Sequence, residues 1–174
     1  FTNAFMNGVA ALSANFSSAN FTGASLIGLQ AANGNFTSAN LRSANATNAN
    51  FSNASFANAD FLGATLAGAN FSGAIINGGF IPTGAPYPGA YLDGVTANGF
   101  TSSQMYSTAS YQARNLFYTS LSNNSMLGWN FASQNLASST LISSDLTGAS
   151  FRSATLNFAN LSSSTLANAD FTDA

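Results

Sequence analysis

A large apolar residue returns at every fifth position along most of this chain, and that period dictates the path of the backbone. From the first residue the series runs Phe1, Met6, Ala11, Phe16, Phe21, Leu26, Ala31, Phe36, Leu41, Ala46, Phe51, Phe56, Phe61, Leu66, Phe71 and Ile76. Two places before each, the residue is nearly always small, as at Ala14, Ala19, Ala24, Gly34, Ala39 and Ala44. A spacing of five fits neither the helical period nor the two-residue alternation of a strand. The chain must turn once per repeat. The same phase returns at Leu116 and continues through Leu121, Met126, Phe131, Leu136, Leu141, Leu146, Phe151, Leu156, Leu161, Leu166 and Phe171.

A longer period lies inside the short one. Phe131, Phe151 and Phe171 stand four repeats apart, and the large residues between them are all Leu. In the first half, Ala11 and Ala31 occupy large-residue positions, and at both the small position has grown, to Val9 and Leu29. Volume has been exchanged within a repeat, in register, one such step apart. Cores tolerate volume-conserving exchanges best, so the pattern is that of stacked coils. Four repeats per coil is the reading.

The units Ala14-Asn15-Phe16-Ser17-Ser18, Ala19-Asn20-Phe21-Thr22-Gly23 and Ala69-Asn70-Phe71-Ser72-Gly73 resemble the repeat of the pentapeptide-repeat family. That resemblance implies an all-β solenoid, a right-handed quadrilateral β-helix with about 20 residues per coil. The large residue and its small predecessor would point inward, and the other three outward. The expected core therefore includes Phe16, Phe36, Phe56, Phe131, Phe151, Phe171, Leu141 and Leu161. Coils stacked at about 4.8 Å would make a rod roughly 40 Å long. Outward Asn residues can form ladders along its axis.

One continuous domain is expected in three parts: solenoid over 1–81, an irregular insertion over 82–113, and solenoid again over 114–174. The prolines, Pro82, Pro86 and Pro88, all fall in the insertion, where they remove ladder donors and should stop regular coils near Ile81. Thr101-Ser102-Ser103-Gln104 fits a capping box, followed by Met105, Ala109 and Ala113 at helical spacing, which predicts a short helix around 102–112 carried on a loop. The run from Gly99 to Ala113 resembles an interruption found in secreted bacterial pentapeptide-repeat proteins.

Tyr87, Tyr91, Tyr106 and Tyr111 could present a binding surface here, since insertions on repeat scaffolds are common binding sites. The simpler reading is that helix and tyrosines cover a break between solenoid halves, and it is preferred. Just beyond, the small-residue positions hold Arg114, Thr119, Asn124, Trp129 and Gln134. Stacking at the coil period places Trp129 between Ala109 and Ala149, and an inward Asn124 or Gln134 needs hydrogen-bond partners.

Catalysis finds little material. The 174 residues contain no His, Cys, Lys or Glu, so the usual bases and nucleophiles are missing, and no enzyme activity or cofactor is expected. Asp60, Asp145 and Asp170 occupy the outward Asn/Asp position of the repeat and are explained by it. No acidic cluster has the spacing of a metal site. A net charge of −2 gives no strong pull on nucleic acid, and five acids cannot imitate the charge density of a duplex, which disfavours the DNA-mimicking, gyrase-protecting role of some family members. No stretch approaches the roughly 20 apolar residues of a membrane span. An ice-binding face is disfavoured because the column Thr2, Thr22, Arg42, Leu62 decays within four coils.

The sequence starts at Phe1 with no signal-like segment, the expectation for a mature or excised form, and neither end shows a polar cap. Low charge and open coil ends point to a non-enzymatic structural protein that assembles with itself, head to tail, into an extracellular filament or surface layer. The alternative is a scaffold presenting the Tyr-rich insertion to a partner. Asn-x-Ser/Thr triplets at Asn15, Asn20, Asn35, Asn50 and Asn160 allow glycan attachment, although the repeat generates them by itself. The inward assignment has a direct consequence. Phe151→Asp should abolish folding while Arg152→Ser hardly matters, and equal melting temperatures for the two would refute it.

Overall fold

The computed structural model describes residues 1–76 and 90–174, together with the backbone of the paired strands Gly79–Phe80 and Pro86–Tyr87. The sequence winds as a right-handed four-sided solenoid. Each repeat ends in a four-residue turn, in which the small residue's N–H donates to the carbonyl of the preceding large residue. Ala4 to Phe1 and Ala24 to Phe21 are examples, both 2.9 Å. The third residue of each turn has positive φ, as at Ser18 (58°), Asn53 (56°) and Gly73 (70°), whereas the second does not. That is the type II pattern, and it explains why Gly, Asn and Ser fill this position so often.

Coils pair in parallel at an interval of four repeats, as in the columns Asn20–Asn40–Asp60 and Asn115–Asn135–Thr155. Bridging falls on the residue just before each large one. Phe36 donates from its N–H to the carbonyl of Ser55 in the following coil (2.8 Å), and Asn35 donates to Ala14 in the preceding one (2.9 Å). Every inner coil is thereby bonded on both sides without a strand longer than one bridge.

The large residues fill the interior. Phe36, Phe56, Phe131, Phe151 and Leu141 are fully buried, as is Leu29 beside Ala31, which accounts for the exchange of volume between those two positions. Each buried ring or branch contributes roughly 1.5–3 kcal/mol. Gly34 shows why the preceding residue is small: a Cβ there would come within 2.8 Å of the Phe36 ring. Phe131, Phe151 and Phe171 stack one above another, with centroids 5.2 and 4.9 Å apart and planes 14° and 6° from parallel.

Two members of the expected core sit at its margin. Phe171 stacks on Phe151 but is 37% exposed, and Leu161 is half-buried, because both belong to the last coil of this sequence, with none above.

Outside, the Asn and Asp side chains serve the turns. The Oδ1 of Asn20 accepts from the Thr22 N–H at 3.0 Å, and Asp60 does the same for Leu62 at 2.9 Å. Some amides also bond along the axis, as Asn35 to Asn15 and Asn70 to Asn50, both 3.3 Å. Hydrogen bonds from the hydroxyl and then the N–H of Thr147 hold the Asp145 carboxyl below its ordinary pKa. Those of Thr172 do the same for Asp170.

The interruption changes the stacking count. Regular coils would carry the column from Asp60 to Ser120 in three steps, through positions 80 and 100. The structure makes the journey in two, with Asp60 paired to Tyr91 and Tyr91 to Ser120. Two long layers therefore take the place of three regular ones, and the rod is about one 4.8 Å rise shorter than the period alone implies. For the same reason Ala109 does not lie under Trp129. Its N–H donates to Ala74 instead (2.8 Å), although Ala149 does follow Trp129 as expected, with the Ser150 N–H bonded to the Trp129 carbonyl. Arg114 is not inward either: it is exposed, with φ at 55°, since an unpaired guanidinium is too costly to bury. The expected end of regular coils near Ile81 lies outside the described residues.

Helix occupies Ser102–Ser107 (α1) and Ala109–Gln112 (α2), separated by the extended Thr108. Thr101 and Gln104 form the capping box. The two helices are part of the stack rather than an excursion from it. Met105 is buried in the core, and the Gln104 amide reaches the carbonyls of Leu66 and Ala69 in the coil before, at 2.8 and 2.9 Å.

Phe158 sits in the left-handed turn position with φ at 61° and is 92% exposed. A bulky side chain there costs about 1–2 kcal/mol and gains nothing from burial. Phe158→Asn should raise the melting temperature by roughly 2–4 °C in thermal unfolding followed by circular dichroism. A lower melting temperature would show that the ring stabilises the molecule.

Candidate functional site

The regular faces of the rod are flat, so the place where they break is the natural candidate. After Leu92 the insertion forms a 3-10 helix over Val95–Asn98, flanked by Gly94 and Gly99 with φ of 68° and 90°. Gly99 is obligatory here, because a Cβ would meet the Ala67 backbone and side chain at about 3 Å. Phe100 then turns inward, and Thr101 begins α1.

Asn124 locks this segment to the next coil. It is buried, its amide nitrogen donates to the carbonyls of Leu92 and Leu121 at 2.8 and 2.9 Å, and its Oδ1 accepts from the Thr96 N–H at 3.0 Å. In return the Thr96 hydroxyl accepts from the Ser125 N–H at 2.9 Å. The expectation that an inward Asn124 needs partners is met in full, and its role is a fastening between layers. Ser144 extends the fastening upward. Its hydroxyl accepts from the Asn124 N–H and donates to the Leu121 carbonyl, standing inside the turn. Ser164 repeats the arrangement on Ser144 and Leu141.

Gln134 is less complete. Its amide nitrogen donates to the Tyr111 carbonyl at 3.0 Å, while its buried Oε1 has no partner among the described residues.

The tyrosines expected as an interaction surface are divided by the structure. Tyr106 and Tyr111 lie 4.6 Å apart, and both hydroxyls bind one residue of the next coil: Tyr106 accepts from the Asn130 N–H at 2.6 Å and Tyr111 donates to the Asn130 carbonyl at 2.7 Å. Burial, and then the adjacent Tyr106 phenol, raise the Tyr111 hydroxyl above its ordinary pKa. These two rings clamp the insertion to the second half. Tyr91 stands in the bridge column between Asp60 and Ser120 with its side chain exposed, and the side chain of Tyr87 lies outside the described residues.

Between the 3-10 helix, α1 and the coil holding Asn123 and Ser125 an open cleft of about 530 Å³ remains. Its floor is Phe100 and Trp129, whose rings are 6.5 Å apart; its sides are Thr96, Ser102, Asn123 and Ser125. Phe100 also packs edge-on against Phe71 at 5.6 Å, and Trp129 on Phe131 at 6.1 Å, so the internal aromatic column passes through the insertion and surfaces in the cleft. The run of unusual small-position residues from Arg114 to Gln134 sets a polar pocket at Asn124 and Gln134 against a local departure from regular coils; the cleft beside Trp129 is lined by neither of those two residues. Among the described residues no cluster of His, Cys, Asp and Glu could hold a metal ion, and no helix is long and apolar enough to cross a membrane.

The model of the family described as pentapeptide repeats matches residues 35–75 and 135–173 in 8 copies. No curated protein matches the sequence significantly. Among solved structures, HetL, a pentapeptide repeat protein involved in heterocyst differentiation regulation from the cyanobacterium Nostoc sp. strain PCC 7120, is 17% identical, with 98% of this chain and 88% of that chain covered and a TM-score of 0.43. A pentapeptide repeat protein from the Arabidopsis thaliana thylakoid lumen is 18% identical over 97% of this chain and 68% of its own, with a TM-score of 0.28. QnrB1, a plasmid-mediated fluoroquinolone resistance protein, is 20% identical over 100% of this chain and 78% of its own, with a TM-score of 0.40. With its in-register repeats, its four-repeat coil and its inward Phe and Leu columns, the chain belongs to the pentapeptide-repeat family.

Proposed function

We propose that the protein is a non-catalytic binding scaffold whose recognition site is the cleft over Phe100 and Trp129. Proteins of this family are generally structural or binding proteins rather than enzymes. The observation that carries the reading is the way the cleft is built. Its walls are fixed from behind by Asn124, Gln104 and the Tyr106–Tyr111 clamp, so the site is pre-formed, and its size falls within the roughly 300–1,000 Å³ typical of ligand sites. A rigid site loses less entropy on binding than a loop that must first be ordered. The clamped tyrosines support this use of the insertion over one in which they themselves meet the partner.

A second reading has its own support. The outermost coils leave apolar rows open, with Phe1 59% and Leu166 39% exposed, and coils of the same kind would cover them. Those coils could come from the same polypeptide or from another copy, which is the head-to-tail assembly expected from the composition. An extracellular or cell-surface setting belongs to either reading, as does glycan attachment at Asn15, Asn20, Asn35, Asn50 or Asn160.

Filling the cleft tests the first reading. Ser125 is exposed in an outward position, so Ser125→Arg should leave the melting temperature unchanged while blocking the site. Wild type and variant applied to arrays of glycans, peptides and nucleic acids should differ, with ligands held by the wild type lost in the variant. Equal retention, or no ligand at all, overturns the proposal. For the second reading, sedimentation velocity should show growing species as concentration rises, and a single short rod throughout counts against it.

A further inference from the structure

Resting on the assignment of the cleft as a binding site, we infer that its ligand class is a neutral saccharide. None of the lining residues carries a charge. Of the nearest acids, Asp93 is held by the Ser120 hydroxyl at 2.6 Å and the Ser122 N–H at 2.8 Å, and Asp145, which pairs with Ser125 from the next coil, accepts from the Thr147 N–H at 3.1 Å. An anionic ligand would lose hydration here and find no cation in the lining, and a cationic one would find no carboxylate in the lining, only Asp145 beyond it, already bonded to Thr147.

What the cleft does offer is side-chain hydrogen bonding of both signs. The hydroxyls of Ser102 and Ser125 and the amide of Asn123 make no hydrogen bond to other described residues, and neither does the indole N–H of Trp129. Each hydroxyl donates and accepts, and an amide does both through separate atoms, which matches a ligand whose own groups are hydroxyls. The floor supplies the complement. Trp129 is 8% and Phe100 4% exposed, so only the rims of the two rings reach the cleft, a narrow apolar strip against which the C–H groups of a sugar can lie.

An uncharged peptide is the competing class, and the backbone argues against it. Strand addition needs free main-chain groups, but the N–H groups along this wall are taken: Thr96 by Asn124, Ser125 by Thr96, and Asn123 by the carbonyl of Ile142.

The chain contains a single tryptophan, which makes the cleft self-reporting. Titration with glucose, galactose, mannose, N-acetylglucosamine and their short neutral oligomers, followed by tryptophan fluorescence, should give a saturable change with at least one of them. Ser102→Ala and Ser125→Ala, each expected to fold normally because neither hydroxyl bonds to other described residues, should weaken that binding by about three- to tenfold. Asn123 stands at positive φ, where Ser is common in this chain, so Asn123→Ser is its fitting variant and should weaken binding likewise.

A saturable change that these variants leave untouched places the sugar elsewhere and overturns the inference. If no sugar shifts Trp129 but neutral peptides do, the saccharide class is wrong while the cleft stands as a binding site. If neither sugars, peptides nor the ligands retained on arrays perturb Trp129, the cleft assignment itself fails with it.

Discussion

The structure depends on one backbone requirement, a left-handed residue at every fifth position. The chain can turn a corner and rejoin its column only if the third residue of each turn takes a positive φ. Gly does this freely, and Asn tolerates it better than other side chains because its short amide bonds locally. In this chain Gly, Ser and Asn fill nearly all such positions, and Tyr118, Arg114, Asp173 and Phe158 are the departures. Once the corner is fixed, the rest follows from geometry. The residue after the corner points inward and must be small, the next pairs with the coils above and below, and the next again points inward and is large.

This division of labour explains how a chain with so few charged residues holds one conformation. Charge is not needed for register, because the hydrogen-bond ladder and the inward columns already exclude a slip. A shift by one residue would turn Phe and Leu outward along an entire face. The one ion pair among the described residues, Arg42 with Asp60 at 2.8 Å, lies on the surface and adds little. Specificity comes from shape instead. Gly34 exists for the Phe36 ring, and Leu29 for the space that Ala31 leaves.

Much of this was legible in the residues. The five-residue period, the four-repeat coil, the Phe131–Phe151–Phe171 column and the Thr101–Gln104 capping box all rest on local spacing, and spacing survives without knowledge of the neighbours. Features decided by contacts between distant layers were not legible. Ala109 came to rest on Ala74 because two long layers replaced three regular ones, and no count along the sequence separates those solutions, since both return to the same phase at Ser120. Asn124 was readable as a polar residue in an inward position, but its partners, Leu92 and Thr96, belong to irregular backbone that no period places. The cleft shares that origin.

The surplus residues in the two long layers suggest how a repeat fold acquires a site. A regular coil commits every residue to a corner, a bridge or a core column and leaves only flat outward rows. In the layer between Tyr91 and Ser120 the extra length forms the 3-10 helix, α1 and α2, and these can stay in the stack only if side chains bond this irregular segment to the adjacent coils. That is where Gln104, Asn124, Tyr106 and Tyr111 are used, all of them polar residues that a plain coil would not need. The same departure leaves a recess over the buried Phe100 and Trp129, where the rims of the aromatic column border unpaired hydroxyls. A recess of this kind requires that the layers on either side be regular, because only a fixed register holds its two walls at constant separation.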